Sequence, residues 1–232
     1  HESIADTLHC IGIHHQSQGE FFAATSCYDK ALRLYKSKNT DGSLKMSRTL
    51  HNIAVIYCER SEFDVALTCF EQSLQMRVSR LGEKDKSVAD TRCWIGKVYR
   101  ERGEYKAALK CFQKAFEAKE AILGPDHLDV AEALQNIGIL YDDMEEYEDS
   151  LDCYRRSLEI RRSQLGDRHE DVCEVLSCMA NVYHAAGEIH KGLEFFTLAL
   201  RLRDLNLKHT KIKKGSCELK IMLQSYEDVY VL

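Results

Sequence analysis

The feature that most constrains the fold of this chain is a sequence pattern that recurs every 42 residues. Residues at equivalent positions of successive repeats are called a column below. One column of small residues is Gly12, Ala54, Gly96, Gly138 and Ala180, and another is Ala24, Ala66, Ala108, Ser150 and Gly192. Two largely aromatic columns are His15, Tyr57, Tyr99, Tyr141, Tyr183 and Tyr28, Phe70, Phe112, Tyr154, Phe196. A fixed period of this length predicts structural units, here five, that stack on their neighbours.

Each repeat is predicted to form two helices joined by a short turn. In the fourth repeat, Leu134, Ile137, Gly138 and Tyr141 have the i, i+3, i+4, i+7 spacing of one helical face. The turns are predicted to centre on Gly19, Ser61, Gly103, Glu145 and Gly187. The second helix is expected to end at the Leu-Gly pairs 81–82, 123–124 and 165–166, because glycine is typical just past a helix end.

Two segments, LGPDHLDVAEALQNIGILY and LGDRHEDVCEVLSCMANVY, resemble the long form of the tetratricopeptide repeat that occurs in kinesin light chains and in many scaffold proteins. The resemblance covers nearly the whole chain. It implies an all-α fold, an α-solenoid of tandem helix-turn-helix repeats wound into a right-handed superhelix.

The repeat boundaries follow from this pattern. We expect five repeats at about 1–40, 44–82, 86–124, 128–166 and 170–204. Residues 205–232 are expected to be a linker and a C-terminal capping helix, because Leu219, Met222, Leu223 and Tyr226 have the spacing of a first helix.

Composition narrows the classes of function. The net charge of −5 gives no general basic character for binding nucleic acid, and the apolar runs are too short for insertion into a membrane. A column of cysteines, one in each of the first four repeats, consists of Cys27, Cys69, Cys111 and Cys153. Equivalent positions of stacked helices lie about 10 Å apart, whereas a disulfide needs Cα atoms within about 7 Å. We therefore expect free thiols and a cytoplasmic protein.

Neither a metal site, a cofactor nor catalysis is predicted. Cys10 and His14 share a helical face, but a zinc site needs about four converging ligands. The acidic run DDMEEYEDSLD falls at a turn between two helices, where we expect a solvated surface rather than acid–base chemistry. The chain is therefore not expected to be an enzyme.

Trp94, the single tryptophan of the chain, lies beside the core-facing stripe of the first helix of the third repeat. In the family that this sequence resembles, the first helices line a concave groove. Trp94 then either offers its ring to a ligand, or lies across the neighbouring first helix and fills space. Arg92 interrupts a column of leucines, and either extends beneath Trp94 or pairs with an acidic neighbour.

The predicted groove combines an aromatic anchor, amides and cations. Its candidate residues are Arg48, His51, Asn52, Val55, Trp94, Lys97, Arg100, Gln135, Asn136, Ile139 and Asn181. Such a surface suits a protein or peptide ligand that is acidic and carries an aromatic or apolar anchor. The sequence thus favours a scaffold or adaptor that binds a peptide segment of a partner. The alternatives are a regulatory segment of a larger enzyme or nucleotide-binding protein, and a packing scaffold whose groove is filled by its own chain.

Overall fold

The computed structural model describes residues 2–37 and 43–210, which form ten α-helices and no strand. In chain order the helices are α1 (Glu2–Ser17), α2 (Phe21–Lys36), α3 (Ser43–Glu59), α4 (Phe63–Leu81), α5 (Lys86–Glu101), α6 (Tyr105–Leu123), α7 (Leu128–Asp143), α8 (Tyr147–Leu165), α9 (Glu170–Ala185) and α10 (Ile189–Thr210). Odd-numbered helices are the first helices of the repeats, and even-numbered helices are the second ones. The predicted all-α repeat fold is confirmed.

The turns and helix ends lie where the sequence predicts them. All five predicted turn centres have a positive φ, including the non-glycine residues Ser61 at 59° and Glu145 at 61°. The second helices α4, α6 and α8 end at Leu81, Leu123 and Leu165. Each is followed by a glycine with φ between 82° and 87°, a conformation that a Cβ atom disfavours.

The first column of small residues lets the two helices of a repeat approach closely. A methyl group on Gly96 would lie 2.7 Å from the Phe112 ring, and one on Gly12 would meet Tyr28 in the same way. Both rings are at most 1% exposed. The small residue and the aromatic ring at these two columns therefore form one contact in which the ring occupies the space of the missing side chain.

The chain divides into two compact units, with the boundary between Leu140 and Tyr141. In the first unit, α1 packs on α2, α3 on α4, and α5 on α6, while α2 contacts α3 and α4 contacts α5 across the repeat boundaries. In the second unit, α8 packs on α9, and α9 packs on α10.

Two contacts between repeats in the first unit each have an apolar cluster. Tyr28 and Leu32 of α2 pack with Leu50, Ile53 and Ile56 of α3. In the next repeat, Leu67 and Phe70 of α4 pack with Ile95 and Val98 of α5. The second helix of one repeat thus covers the first helix of the next, which is the nearest-neighbour packing expected of a repeat protein.

The end of the last helix differs from the expected limit of the fifth repeat. Helix α10 continues to Thr210, six residues beyond residue 204. The predicted capping helix, with Leu219, Met222, Leu223 and Tyr226, lies outside the described residues. Among the helices that are described, none is long and apolar enough to cross a membrane.

Candidate peptide-binding site

Trp94 is half-buried on α5 and packs against the preceding repeat. Its indole stacks on Phe70 of α4, with ring centroids 6.1 Å apart and planes 21° apart. His51 of α3 meets the indole edge-on at 6.4 Å. The ammonium of Lys97 lies over the indole, 4.9 Å from its centroid. Trp94 therefore fills space beside Phe70 and also keeps some of its surface exposed.

The Trp94 column sits on the aromatic ring of the preceding second helix. In the second repeat, Asn52 donates a 3.3 Å hydrogen bond to the hydroxyl of Tyr28. In the third repeat, Phe70 has no hydroxyl, and the stacked Trp94 takes the place of the asparagine. In the fourth, the equivalent ring is Phe112, and within the described residues the Asn136 amide nitrogen has no hydrogen-bond partner. A hydroxyl on the ring thus gives the neighbouring residue of the next repeat a hydrogen-bond partner, and a phenyl ring does not.

His51 contributes no positive charge to this surface near neutral pH. Burial and the nearby charge of Arg77 lower the pKa of His51 to about 3. Its Nδ1 atom is buried without a partner among the described residues, and its ring lies edge-on against Phe70 at 5.1 Å. The local basic character inferred from the sequence therefore cannot include His51.

The three remaining cations have different surroundings. Arg48 is exposed on α3. Hydrogen bonds from Tyr35 and Lys45 lower the pKa of Asp6, burial lowers the pKa of His9, and the charge of Arg48 adds to both effects. Arg100 forms a 2.8 Å ion pair with Glu101. Lys97 is the cation that the structure brings to Trp94.

The amides of the fourth repeat are less open than the sequence suggests. Gln135 and Asn136 of α7 are 7% and 8% exposed, so both are buried. Val55 is half-buried and packs on the same apolar cluster as Trp94, and Ile139 is also half-buried. Asn181 is exposed but belongs to the second unit. The structure therefore brings together Trp94, Lys97, His51 and Val55, which we call the Trp94 surface.

The question about Arg92 is resolved in favour of an acidic neighbour. Its guanidinium pairs with the Glu83 carboxylate and donates a 3.3 Å hydrogen bond to the Glu83 carbonyl, in the loop before α5. Arg92 itself is 8% exposed. This arginine therefore ties the loop to the helix face where other repeats place leucine.

A column of buried cations on the second helices was missed in the sequence. Arg77, Lys119 and Arg161 recur every 42 residues and are between 2% and 6% exposed. Arg77 donates 2.8 Å hydrogen bonds to the Ser87 carbonyl and the Thr91 hydroxyl of α5. The 42-residue step was the signal that could have found these residues, because a charged column on an otherwise apolar face needs partners.

Lys119 joins the first helices on either side of it. Its ammonium lies 3.1 Å from Asp90 of α5 and 3.5 Å from Glu132 of α7. Burial alone lowers the pKa of Lys119, but Cys93 and the carboxylates of Glu132 and Asp90 outweigh it, and the net pKa is raised. Lys119 therefore stays charged and fixes two exposed carboxylates to the surface of the first unit.

The cysteines and the acidic turn were considered above for disulfide, metal-binding and acid–base chemistry. The cysteines within the described residues are free thiols. Burial raises the pKa of Cys93 and Cys153 to about 11, which disfavours the reactive thiolate. In the second unit, Asp142 is half-buried, and burial together with Asp143 raises its pKa. Among the described residues, no group of three or more His, Cys, Asp or Glu side chains is placed to hold a metal ion.

Solved structures with the same fold include several repeat proteins. BtubC (BKLC) from P. vanneervenii superimposes with a TM-score of 0.79 at 20% identity, over 88% of this chain and 81% of that one. A putative kinesin light chain from Podosopora anserina with nearly identical TPR-like repeats gives a TM-score of 0.76 at 14% identity, over 89% and 98% of the two chains. The apo form of RapI gives 0.75 at 17% identity, over 87% and 71%. At these identities the similarity shows the fold alone.

The family assignment comes from the sequence itself. No curated protein matches the chain. The tetratricopeptide repeat model matches residues 3–77, 87–163 and 143–204, which together cover most of the chain. Proteins built from this repeat are generally scaffolds for protein interaction. The chain belongs to the tetratricopeptide repeat family.

Proposed function

We propose that this chain binds a peptide segment of a partner protein at the Trp94 surface and acts as a scaffold or adaptor without chemistry of its own. The observation that carries the proposal is the half-buried indole of Trp94 with the Lys97 ammonium 4.9 Å from its centroid. Phe70 and His51 support the ring from the side of the preceding repeat. An anchor held in place before binding loses little conformational freedom when a ligand arrives.

The ligand that fits this surface is acidic and carries an aromatic or apolar side chain. The indole offers apolar contact area and a ring face, and Lys97 offers a cation on the same helix. A carboxylate of the ligand can pair with Lys97 while an apolar side chain packs on Trp94. Arg48 lies exposed on α3 and extends the positive charge in the first unit. We propose this partner class rather than a particular partner.

The proposed setting is the cytoplasm. The cysteines of the described residues are free thiols. Burial raises the pKa of half-buried ones such as Cys69 and Cys111, which favours the thiol over the thiolate. A chain with this many reduced cysteines suits a reducing compartment.

The test is a binding screen followed by paired substitutions in the full chain. An array of acidic peptides, each with one Trp, Phe or Leu, identifies a ligand, and fluorescence anisotropy then measures its dissociation constant. Trp94→Ala should weaken binding at least about thirty-fold, since a central aromatic anchor commonly contributes about 2 kcal/mol. Lys97→Glu should weaken binding of the same peptide about tenfold or more, and less at high salt.

The matched control is Lys106→Glu, which makes the same charge reversal at an exposed position of α6. Binding to this variant should change by less than about twofold, because exposed charges away from the ligand are screened. If Lys106→Glu weakens the complex as strongly as Lys97→Glu does, the binding is nonspecific electrostatics, and the Trp94 surface is not the site.

A further inference from the structure

The indole of Trp94 uses its flat faces for contacts within the protein and keeps its N–H group unbonded. Phe70 stacks on the ring with centroids 6.1 Å apart, and the Lys97 ammonium lies 4.9 Å from the ring centroid. The indole Nε1–H makes no hydrogen bond within the described residues, and it is not one of their enclosed polar atoms. The half-buried side chain therefore presents an unsatisfied donor to solvent at the edge of the ring.

The nitrogen atoms at the same column of the neighbouring repeats have different surroundings. The Asn52 amide nitrogen donates to the Tyr28 hydroxyl at 3.3 Å. The Asn136 amide nitrogen is buried. Of these three nitrogens, Nε1 of Trp94 is the one that is neither bonded nor enclosed in the part of the chain that the structure describes.

Lys97 supplies a second donor on the same helical face, three residues further along α5. Its half-buried ammonium forms no ion pair with a carboxylate in residues 2–37 and 43–210. The nearby acidic residues of α5 are engaged elsewhere, since Asp90 lies 3.1 Å from the Lys119 ammonium and Glu101 pairs with Arg100 at 2.8 Å. The charge of Lys97 is therefore uncompensated, and partial burial strengthens its attraction for an anion.

Two donors without an acceptor define the chemical group that fits this edge. A carboxylate has two oxygens and one negative charge, so it can accept a hydrogen bond from the indole and also pair with the ammonium. A phosphate monoester carries up to two negative charges and is typically bound by clusters of arginine. Lys97 is the cation that contacts Trp94, and His51 beside it is neutral, so the surroundings of the indole suit a carboxylate better.

We propose that Trp94 is a hydrogen-bond donor to the peptide partner, and that its indole N–H and the Lys97 ammonium together bind one Asp or Glu carboxylate of that partner. This inference rests on the proposed function and narrows it. It assigns the acidic residue of the partner to the edge of the indole and leaves the apolar anchor to the ring surface beside it. An amide at the same position of the peptide keeps the shape of the carboxylate but loses its charge, so the site discriminates Glu from Gln.

The experiment uses the single tryptophan, because a tryptophan analogue supplied during expression replaces Trp94 alone. Benzothienylalanine keeps the bicyclic shape and carries sulfur in place of the N–H group. A fluorescein-labelled acidic peptide chosen from the array should bind this protein at least about tenfold more weakly than the unaltered chain, because a hydrogen bond to a charged group is lost. Protein grown with a ring-fluorinated tryptophan keeps the N–H and is the matched control, with an affinity within about twofold of the unaltered chain.

A copy of the peptide with Gln in place of its Glu completes a double-mutant cycle. The copy should bind the unaltered chain about tenfold or more weakly than the Glu peptide does, and this ratio should be at least about threefold smaller for the benzothienylalanine protein. In a ¹H–¹⁵N spectrum, the single indole proton should move to lower field when the Glu peptide saturates the chain, and it should move less with the Gln copy.

Unchanged affinity of the benzothienylalanine protein, together with a loss of about thirty-fold for Trp94→Ala, would overturn this inference and leave the Trp94 surface as the binding site. Unchanged affinity of both proteins would overturn the proposed function as well. Tighter binding of a phosphoserine copy of the peptide than of the Glu peptide would assign the edge of the indole to phosphate and contradict the carboxylate.

Discussion

Two contacts between repeats of the first unit use the same columns with opposite chemistry. Tyr28 of α2 is met by Asn52 of α3 through a 3.3 Å hydrogen bond. Phe70 of α4 is met by Trp94 of α5 through ring stacking at 6.1 Å. A histidine flanks both rings, His9 at 5.5 Å from Tyr28 and His51 at 5.1 Å from Phe70.

This difference in side chains at the same two columns shows how one repeat can acquire a distinctive surface while the backbone of the repeats stays the same. A buried hydroxyl needs a polar partner, and the amide of Asn52 provides one by donating a hydrogen bond to Tyr28. A phenyl ring makes no such demand, so the Phe70 contact accepts a large indole that reaches the surface. At Phe70, the loss of one oxygen atom from the ring thus accompanies the gain of a half-buried aromatic anchor.

Removal of the ring that supports Trp94 should have the largest effect on stability. Phe70→Ala should lower the free energy of unfolding by about 3–5 kcal/mol, because the ring is fully buried in an apolar cluster with Ile95 and Val98. Urea denaturation measures the loss, and Phe22→Ala is the control at a phenylalanine that is 85% exposed. If both variants lose less than about 1 kcal/mol, Phe70 does not support the Trp94 contact.

A second prediction concerns the two histidines. Burial, the larger cause, lowers the pKa values of His9 and His51 in the folded chain below the unfolded value near 6.5, and His51 falls to about 3. The folded chain therefore favours the neutral form of both histidines. Their contribution to the free energy of unfolding is fully present above pH 6.5 and is lost as the pH falls. His51 alone should cost about 2 kcal/mol between pH 6.5 and pH 5. Thermal denaturation of His51→Gln should show a smaller loss over this range, and an identical slope would contradict the assignment.

The smallest effect is expected when the Phe70–Trp94 pair is replaced by the tyrosine–asparagine pair of the preceding repeat. Phe70→Tyr alone should destabilise the fold by about 1 kcal/mol or more, because the new hydroxyl meets the indole instead of an amide. Adding Trp94→Asn recreates the pair seen at Tyr28 and Asn52, and the two changes should be coupled by at least about 0.5 kcal/mol in favour of the double variant. A double-mutant cycle by urea denaturation measures this coupling, and strictly additive losses would show that the two columns are independent.

Much of the fold could be predicted because it repeats. The five turn centres, the Leu-Gly helix ends and the small residues facing Tyr28 and Phe112 follow from backbone and steric requirements at fixed positions in each unit. The extension of α10 to Thr210 was not predictable, because the Leu-Gly pair that ends α4, α6 and α8 has no counterpart there.

The candidate site was predictable only in part. The helical spacing placed Trp94 and Lys97 on one surface, as the structure has them. Spacing cannot tell how deeply a side chain is covered by the preceding repeat, so Gln135 and Asn136 were expected to be open and are buried. The charge state of His51 likewise depends on burial and on Arg77, which lies 26 residues away in sequence.

The most direct measurement of the central claim is the fluorescence of Trp94, because the chain contains one tryptophan and the signal has a single source. In the free protein, acrylamide should quench the half-buried indole partially. Saturating the chain with an acidic, aromatic-anchored peptide that lacks tryptophan should shift the emission to shorter wavelength and reduce the quenching, with the same dissociation constant as anisotropy gives. A peptide that binds the chain tightly while the emission and quenching of Trp94 stay unchanged would contradict the account.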